Sequence, residues 1–116
     1  MAVTALASGT KTVSVIGTEE SLTTAAVAGT FTLHVDTINM AAGDILELRI
    51  KQMVLTAGTA RVAYYAQWSG VQPTDDLIKI SVSISNELTD AGALDFRLNQ
   101  LKGVARAFPW KVLQYQ

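Results

Sequence analysis

The chain has 116 residues, enough for one domain with a single modest core and too few for two. Hydrophobic residues make up 49% and charged residues 16%, which leaves much neutral surface suited to burial against copies of itself or a partner. Nine basic and ten acidic residues give a net charge of −1, which argues against the concentrated basic face that nucleic-acid binding requires.

There is no cysteine, so disulfides and thiolate chemistry are excluded and stability must come from packing or assembly. The apolar runs fall far short of a membrane span. The opening MAVTALASGTK lacks the basic-then-apolar order of a signal peptide.

Met1 to Thr10 is small and weakly apolar without a sustained period, and reads as an extended N-terminal arm (1–10) before a single β domain (11–116). Lys11 to Ile16 (KTVSVI) is β-branched and alternating, an expected first strand ended by Gly17. From Thr18 to Gly29 a loop leading to a short strand is the better reading. Thr18 and Ser21 stand in a loose capping-box relation, but LTTAAVAG is too rich in Thr and Val for a helix. Gly29 to Asp36 is a clear strand, with Phe31, Leu33 and Val35 on one face and Thr30, Thr32, His34 and Asp36 on the other. Thr37 to Asp44 then turns.

The centre of the chain is an expected β-hairpin over Gly43 to Val71. In its first arm Leu46, Leu48 and Ile50 alternate with Glu47, Arg49 and Lys51, the period of a strand with one dry face and one wet one. In its second arm Val62, Tyr64, Ala66 and Trp68 alternate with Arg61, Ala63, Tyr65 and Gln67. Thr56-Ala57-Gly58-Thr59 lies between them, with the glycine free to take positive φ.

Pro73-Thr74-Asp75-Asp76 is a strong turn signal. Leu77 to Ser85 alternates strictly, which puts Ile78, Ile80, Val82 and Ile84 inward and Lys79, Ser81, Ser83 and Ser85 outward. After a loop at Asn86 to Gly92, the strand Ala93 to Leu101 sends Leu94, Phe96 and Leu98 inward. The tail AFPWKVLQYQ forms a last short strand that Pro109 confines to an edge or a bulge. Six to seven strands and no convincing helix predict an all-β fold, an antiparallel β-sandwich or barrel.

Catalytic material is thin. His34 is the only histidine, and no G-x-S-x-G or comparable elbow accompanies it, so its expected role is a surface pair with Asp36. One His without Cys makes a poor transition-metal site, and neither Glu19-Glu20 nor Asp75-Asp76 has the spacing of a calcium loop. No cofactor, metal or enzymatic activity is expected. Arg49, Lys51 and Arg61 converge on the polar faces of the hairpin. Ion pairing with Glu47 is the first reading and contact with a partner's acidic surface the second. Tyr65, on the opposite side from Tyr64 and Trp68, is the candidate contact anchor of an aromatic group that Phe108 and Trp110 join.

Several stretches in collinear order resemble a family of small virion proteins of tailed bacteriophages: TALASGT (Thr4–Thr10), VIGTEESL (Val15–Leu22), HVDTINMAAGDILELRIK (His34–Lys51), VLTAGTARVAYYA (Val54–Ala66) and ARAFPWKVL (Ala105–Leu113). Leu77 to Leu101 departs from the family pattern. The resemblance implies a capsid decoration, or cement, protein on the capsid surface of a particle assembled in the host cytoplasm. Its partners would be the major capsid protein and itself, as a homotrimer, with no nucleic acid and no membrane. It would use the arm as a clamp, with Phe108 and Trp110 anchoring the chain end. The rival expectations are a head–tail connector, tail or fibre-associated virion protein, and a carbohydrate- or peptide-binding module.

Overall fold

The computed structural model describes residues 2–89 and 93–116, and they form nine β-strands. These are β1 (Val3–Thr12), β2 (Glu20–Ala25), β3 (Gly29–Asp36), β4 (Ile45–Gln52), β5 (Arg61–Ser69), β6 (Ile78–Ile80), β7 (Ile84–Asn86), β8 (Leu94–Lys102) and β9 (Ala107–Tyr115). All pairings are antiparallel and fall into two sheets. The first has the order β1-β9-β3-β6, with β7 also on β3; the second runs β2-β8-β4-β5. The fold is therefore an open sandwich rather than a barrel, and it has nine strands where six to seven were expected.

The period-two pattern builds the core as expected from β3, β4 and β8. Phe31, Leu33 and Val35 of the first sheet meet Leu46, Leu48, Ile50, Leu94, Phe96 and Leu98 of the second, all buried. Phe31 and Phe96 meet edge to face with ring centroids 6.4 Å apart. Each such side chain contributes about 1.5–3 kcal/mol relative to exposure, so the layer between the sheets supplies most of the driving force. β8 continues the alternation to Gln100, a fully buried amide. It donates to the carbonyls of Lys102 (3.1 Å) and Val104 (2.7 Å) and accepts from the Arg106 N–H (3.0 Å), so the turn from β8 to β9 is held from inside.

The ends of the chain depart most from expectation. The segment read as an extended arm is, from Val3, strand β1, paired with β9 from Val3↔Tyr115 to Thr12↔Ala107. The strand expected over Lys11–Ile16 stops at Thr12, and the chain turns at Val15–Gly17, where Gly17 donates to the Gln100 carbonyl. β9 is no edge strand either. It lies between β1 and β3, and Pro109 is tolerated because pairing with β3 ends at Trp110, leaving only Thr10 of β1 opposite it.

Two single-residue irregularities overturn side-chain phases. In β5 the register shifts so that Ile50 faces Tyr64 but Lys51 faces Val62; Ala63 is the extra residue, and Val62 lands on the outer face. In the segment read as one strand over Leu77–Ser85, Lys79 faces Val35 and Ile84 faces Phe31. Four steps along β3 thus correspond to five along its partner, and one extra residue flips the phase. β6 and β7 are the two halves, and Lys79 and Ser81 point inward in place of Ile78, Ile80 and Val82. The hairpin loop holds a smaller surprise. Positive φ is taken by Ala57 (62°) rather than Gly58, whose role is to admit the Leu55 carbonyl, 2.9 Å from where a Cβ would stand. The loop expected at Asn86–Gly92 lies partly outside the described residues.

Candidate contact surface

The outer face of the first sheet carries an open concavity and the most misplaced side chains. Ile78, Ile80 and Val82 are 55%, 58% and 57% exposed, whereas Lys79 is 4% exposed and Ser81 6%. The inversion is locally satisfied. Lys79 Nζ donates to the Asp76 carbonyl (2.7 Å) and Oδ2 (2.9 Å) and sits 5.6 Å from the centre of the Trp68 ring. This position is at the margin of the sandwich, where a long stem can lie against an aromatic ring while its ammonium finds partners at the rim. The Ser81 hydroxyl accepts from the Leu33 N–H at 2.9 Å and so stands in for a strand neighbour.

Beside the exposed row an open groove of about 410 Å³ crosses β1, β9 and β3 to Ile78. Its walls include Ser8, Thr10, His34, Asp36, Pro109 and Lys111. His34 does not pair with Asp36 as the sequence suggested. Its Nε2 lies 2.9 Å from the Thr32 hydroxyl, which also meets the Tyr115 hydroxyl at 3.2 Å, and Asp36 instead caps the Ile38 N–H at 3.0 Å. Partial burial, followed by the positive charge of Lys111 on the neighbouring strand, lowers the His34 pKa below its ordinary 6.5. The ring is accordingly neutral at pH 7, a hydrogen-bonding group on a mostly apolar floor.

The outer face of the second sheet is chemically opposite. Register sets Glu47, Arg49 and Lys51 of β4 beside Asn99, Arg97 and Asp95 of β8, and beside Gln67, Tyr65 and Val62 of β5. Arg49 reaches Glu47 and Glu19 at 3.0 Å each, and Lys51 reaches Glu19 at 3.5 Å. Arg97 holds Asp95 at 2.6 Å, and its Nε lies 2.5 Å from Glu19 without the alignment of a hydrogen bond. Tyr65 donates to Glu47, lies 2.9 Å from Gln67, and has the Arg49 guanidinium 4.9 Å from its ring centre. Burial alone would lower the Arg49 pKa, but Glu47 and Glu19 together outweigh it and raise it further, and the bond from Tyr65 to Glu47 raises that phenol.

Of the side chains singled out from the sequence, the structure gathers Arg49, Lys51 and Tyr65 on this one face; Arg49 pairs with Glu47 as first read, whereas Lys51 pairs with Glu19 instead. Arg61 is exposed at the start of β5 and forms no ion pair among the described residues. Phe108 is fully buried in the core, so it is no surface anchor, and Trp110 is half-buried against that core with its indole over Gly9. The exposed row Ile78, Ile80 and Val82 was missed, because strict alternation anchored on Ile84 extends the wrong phase backwards. Among the described residues no three His, Asp or Glu side chains gather as a metal site requires. No family model, curated protein or solved structure matches the chain.

Proposed function

We propose that this chain is a structural protein of a tailed-bacteriophage virion, a decoration protein that binds across subunits of the major capsid protein and stabilises the expanded head. The observation that carries this reading is the row Ile78, Ile80 and Val82, left exposed beside an open groove whose only charged walls are Asp36 and Lys111. Such a face gains by burial against a partner and has little chemistry to perform. The collinear sequence resemblance to phage virion proteins supports the same reading. Binding only the expanded shell stabilises it by mass action, and repetition over many sites multiplies a modest gain per site.

In this reading the charged outer face of the second sheet stays turned to solvent, and the clamp is a sheet face; an N-terminal arm plays no part, since β1 is committed to β9. The test is co-sedimentation with expanded capsid shells together with a count of copies per virion. Shells decorated in hundreds of copies, with occupancy reduced by Ile80→Asp, support the assignment. A single ring of copies would move the protein to a connector or tail, and absence from the particle would end the virion reading.

A further inference from the structure

Among the described residues the sandwich has four free strand edges, and three are blunted in recognisable ways. β6 and β7 are three residues each, offset by the phase flip. β2 has six residues with a register shift between Ser21 and Thr23. β1 is long, but a register shift at Ala5/Ala7 breaks it, and it carries Gly9 and Lys11. Short length, bulges and lysines are the devices that keep edges from pairing. β5 has none of them between Tyr64 and Ser69. That run is regular, uncharged and free of Gly and Pro, and among the described residues only β4 lies beside it.

We propose that β5 pairs antiparallel with β5 of a second copy, about a twofold axis through Ala66. The four strands of each second sheet then join into one sheet of eight. Residues facing each other in an antiparallel ladder share a sheet face, so registers that keep the core side inward place like-facing residues together. With Ala66 opposite itself, Tyr64 of one copy meets Trp68 of the other on the core side, and Tyr65 meets Gln67 on the outer side. Both core-side aromatics are only half-buried in one copy, being packed on the core from one flank. The pairing covers the open flank with the same two side chains.

The charge pattern of β5 is compatible with a second copy and sets its direction. Arg61 is the only charged residue of β5. Antiparallel pairing on Ala66 separates the two Arg61 positions by roughly 33 Å along the ladder at about 3.3 Å per residue. A parallel pairing would set the two side by side. A strand meeting itself is isologous and closes at two copies, whereas a threefold ring needs two different edges, of which the described residues leave only one open. The inference stands independently of the virion reading.

Sedimentation and cysteine cross-linking test it in the full chain, which has no cysteine of its own. Wild type should sediment as a dimer at micromolar concentration. Under mild oxidation Ala66→Cys should cross-link nearly completely and Arg61→Cys should not, since only the first lies within disulfide reach of its copy. Gln67→Lys, on an exposed position and checked for folding by circular dichroism, should weaken the dimer about tenfold by losing two cross-strand pairs. A monomer at high micromolar concentration, a trimer, or equal cross-linking at positions 61 and 66 would overturn the proposal.

Discussion

Arg49 and Arg97 stand directly opposite each other across β4 and β8, and Glu19, from the segment before β2, lies within 3.0 Å of the first and 2.5 Å of the second. Two facing cations on adjacent strands repel, so the carboxylate between them is what makes this register tolerable. Glu19→Gln should therefore destabilise by about 1–2 kcal/mol, between the values of exposed and buried ion pairs because these groups are partly screened. A urea midpoint that falls at low salt and recovers toward wild type in high salt checks this.

Asp44 is buried, and its Oδ2 accepts from the Ala41 N–H at 2.9 Å and from Arg106 Nε at 2.8 Å. Burial alone would raise its pKa; the Arg106 bond, the backbone bonds and the guanidinium charge outweigh it, and the pKa is lowered. A carboxyl held lower when folded contributes stability that is full above its ordinary 3.8 and is lost as pH falls through the folded value. Asp44→Asn should cost about 1.5–3 kcal/mol at pH 7 and flatten this limb of the acid-unfolding curve. Gly103→Ala should also destabilise, because its φ is +100° and a Cβ would meet Asp44 Oδ1 at 1.9 Å.

His34 supplies a milder pH dependence of the same sign. Its folded pKa lies below 6.5, so the unfolded chain takes up the proton first and stability declines as pH drops from 6.5 through the folded value. Thermal scans between pH 7 and pH 5 should show a shallow fall that His34→Gln removes.

Aspartate substitutions at two isoleucines separate the core from the contact row. Ile50→Asp should destabilise by more than about 3 kcal/mol, since it buries an unpaired charge. Ile80→Asp, on the exposed row, should leave the melting temperature within a degree or two, as surface changes usually cost within about 0.5 kcal/mol. Its effect should appear only in capsid binding.

Removing Met1–Thr10 takes away most of β1 and leaves the β9 edge open, with Leu6 no longer packed on the core. The truncated chain should lose cooperativity or aggregate, measured by light scattering during a thermal ramp. A melting temperature equal to that of the full chain would contradict the pairing.

The dry faces of β3, β4 and β8 were legible because their partners keep step with them: Leu46, Leu48 and Ile50 repeat every second residue, and each is buried. What the sequence hid arises from pairing. Nothing in LIKISVSIS reveals an extra residue between Lys79 and Ile84, because the flip depends on where β3 offers Val35 and Phe31. Nor does TALASGT declare itself a strand, since its small side chains are held by the β9 ladder more than by burial. The ion network was half visible, in that Arg49, Lys51 and Glu47 share a face by parity alone. Glu19 entered it from a stretch whose sequence shows only a loop.

The last strand of the chain is the one on which the first sheet depends. β9 separates β1 from β3, so during synthesis both wait for a neighbour not yet made, while the β4–β5 hairpin can form locally. The five-stranded layer can close only after the chain to Tyr115 has left the ribosome. Closure of that layer is thereby tied to the emergence of β9 and proceeds as a slow, late event governed by contacts between segments far apart in the sequence.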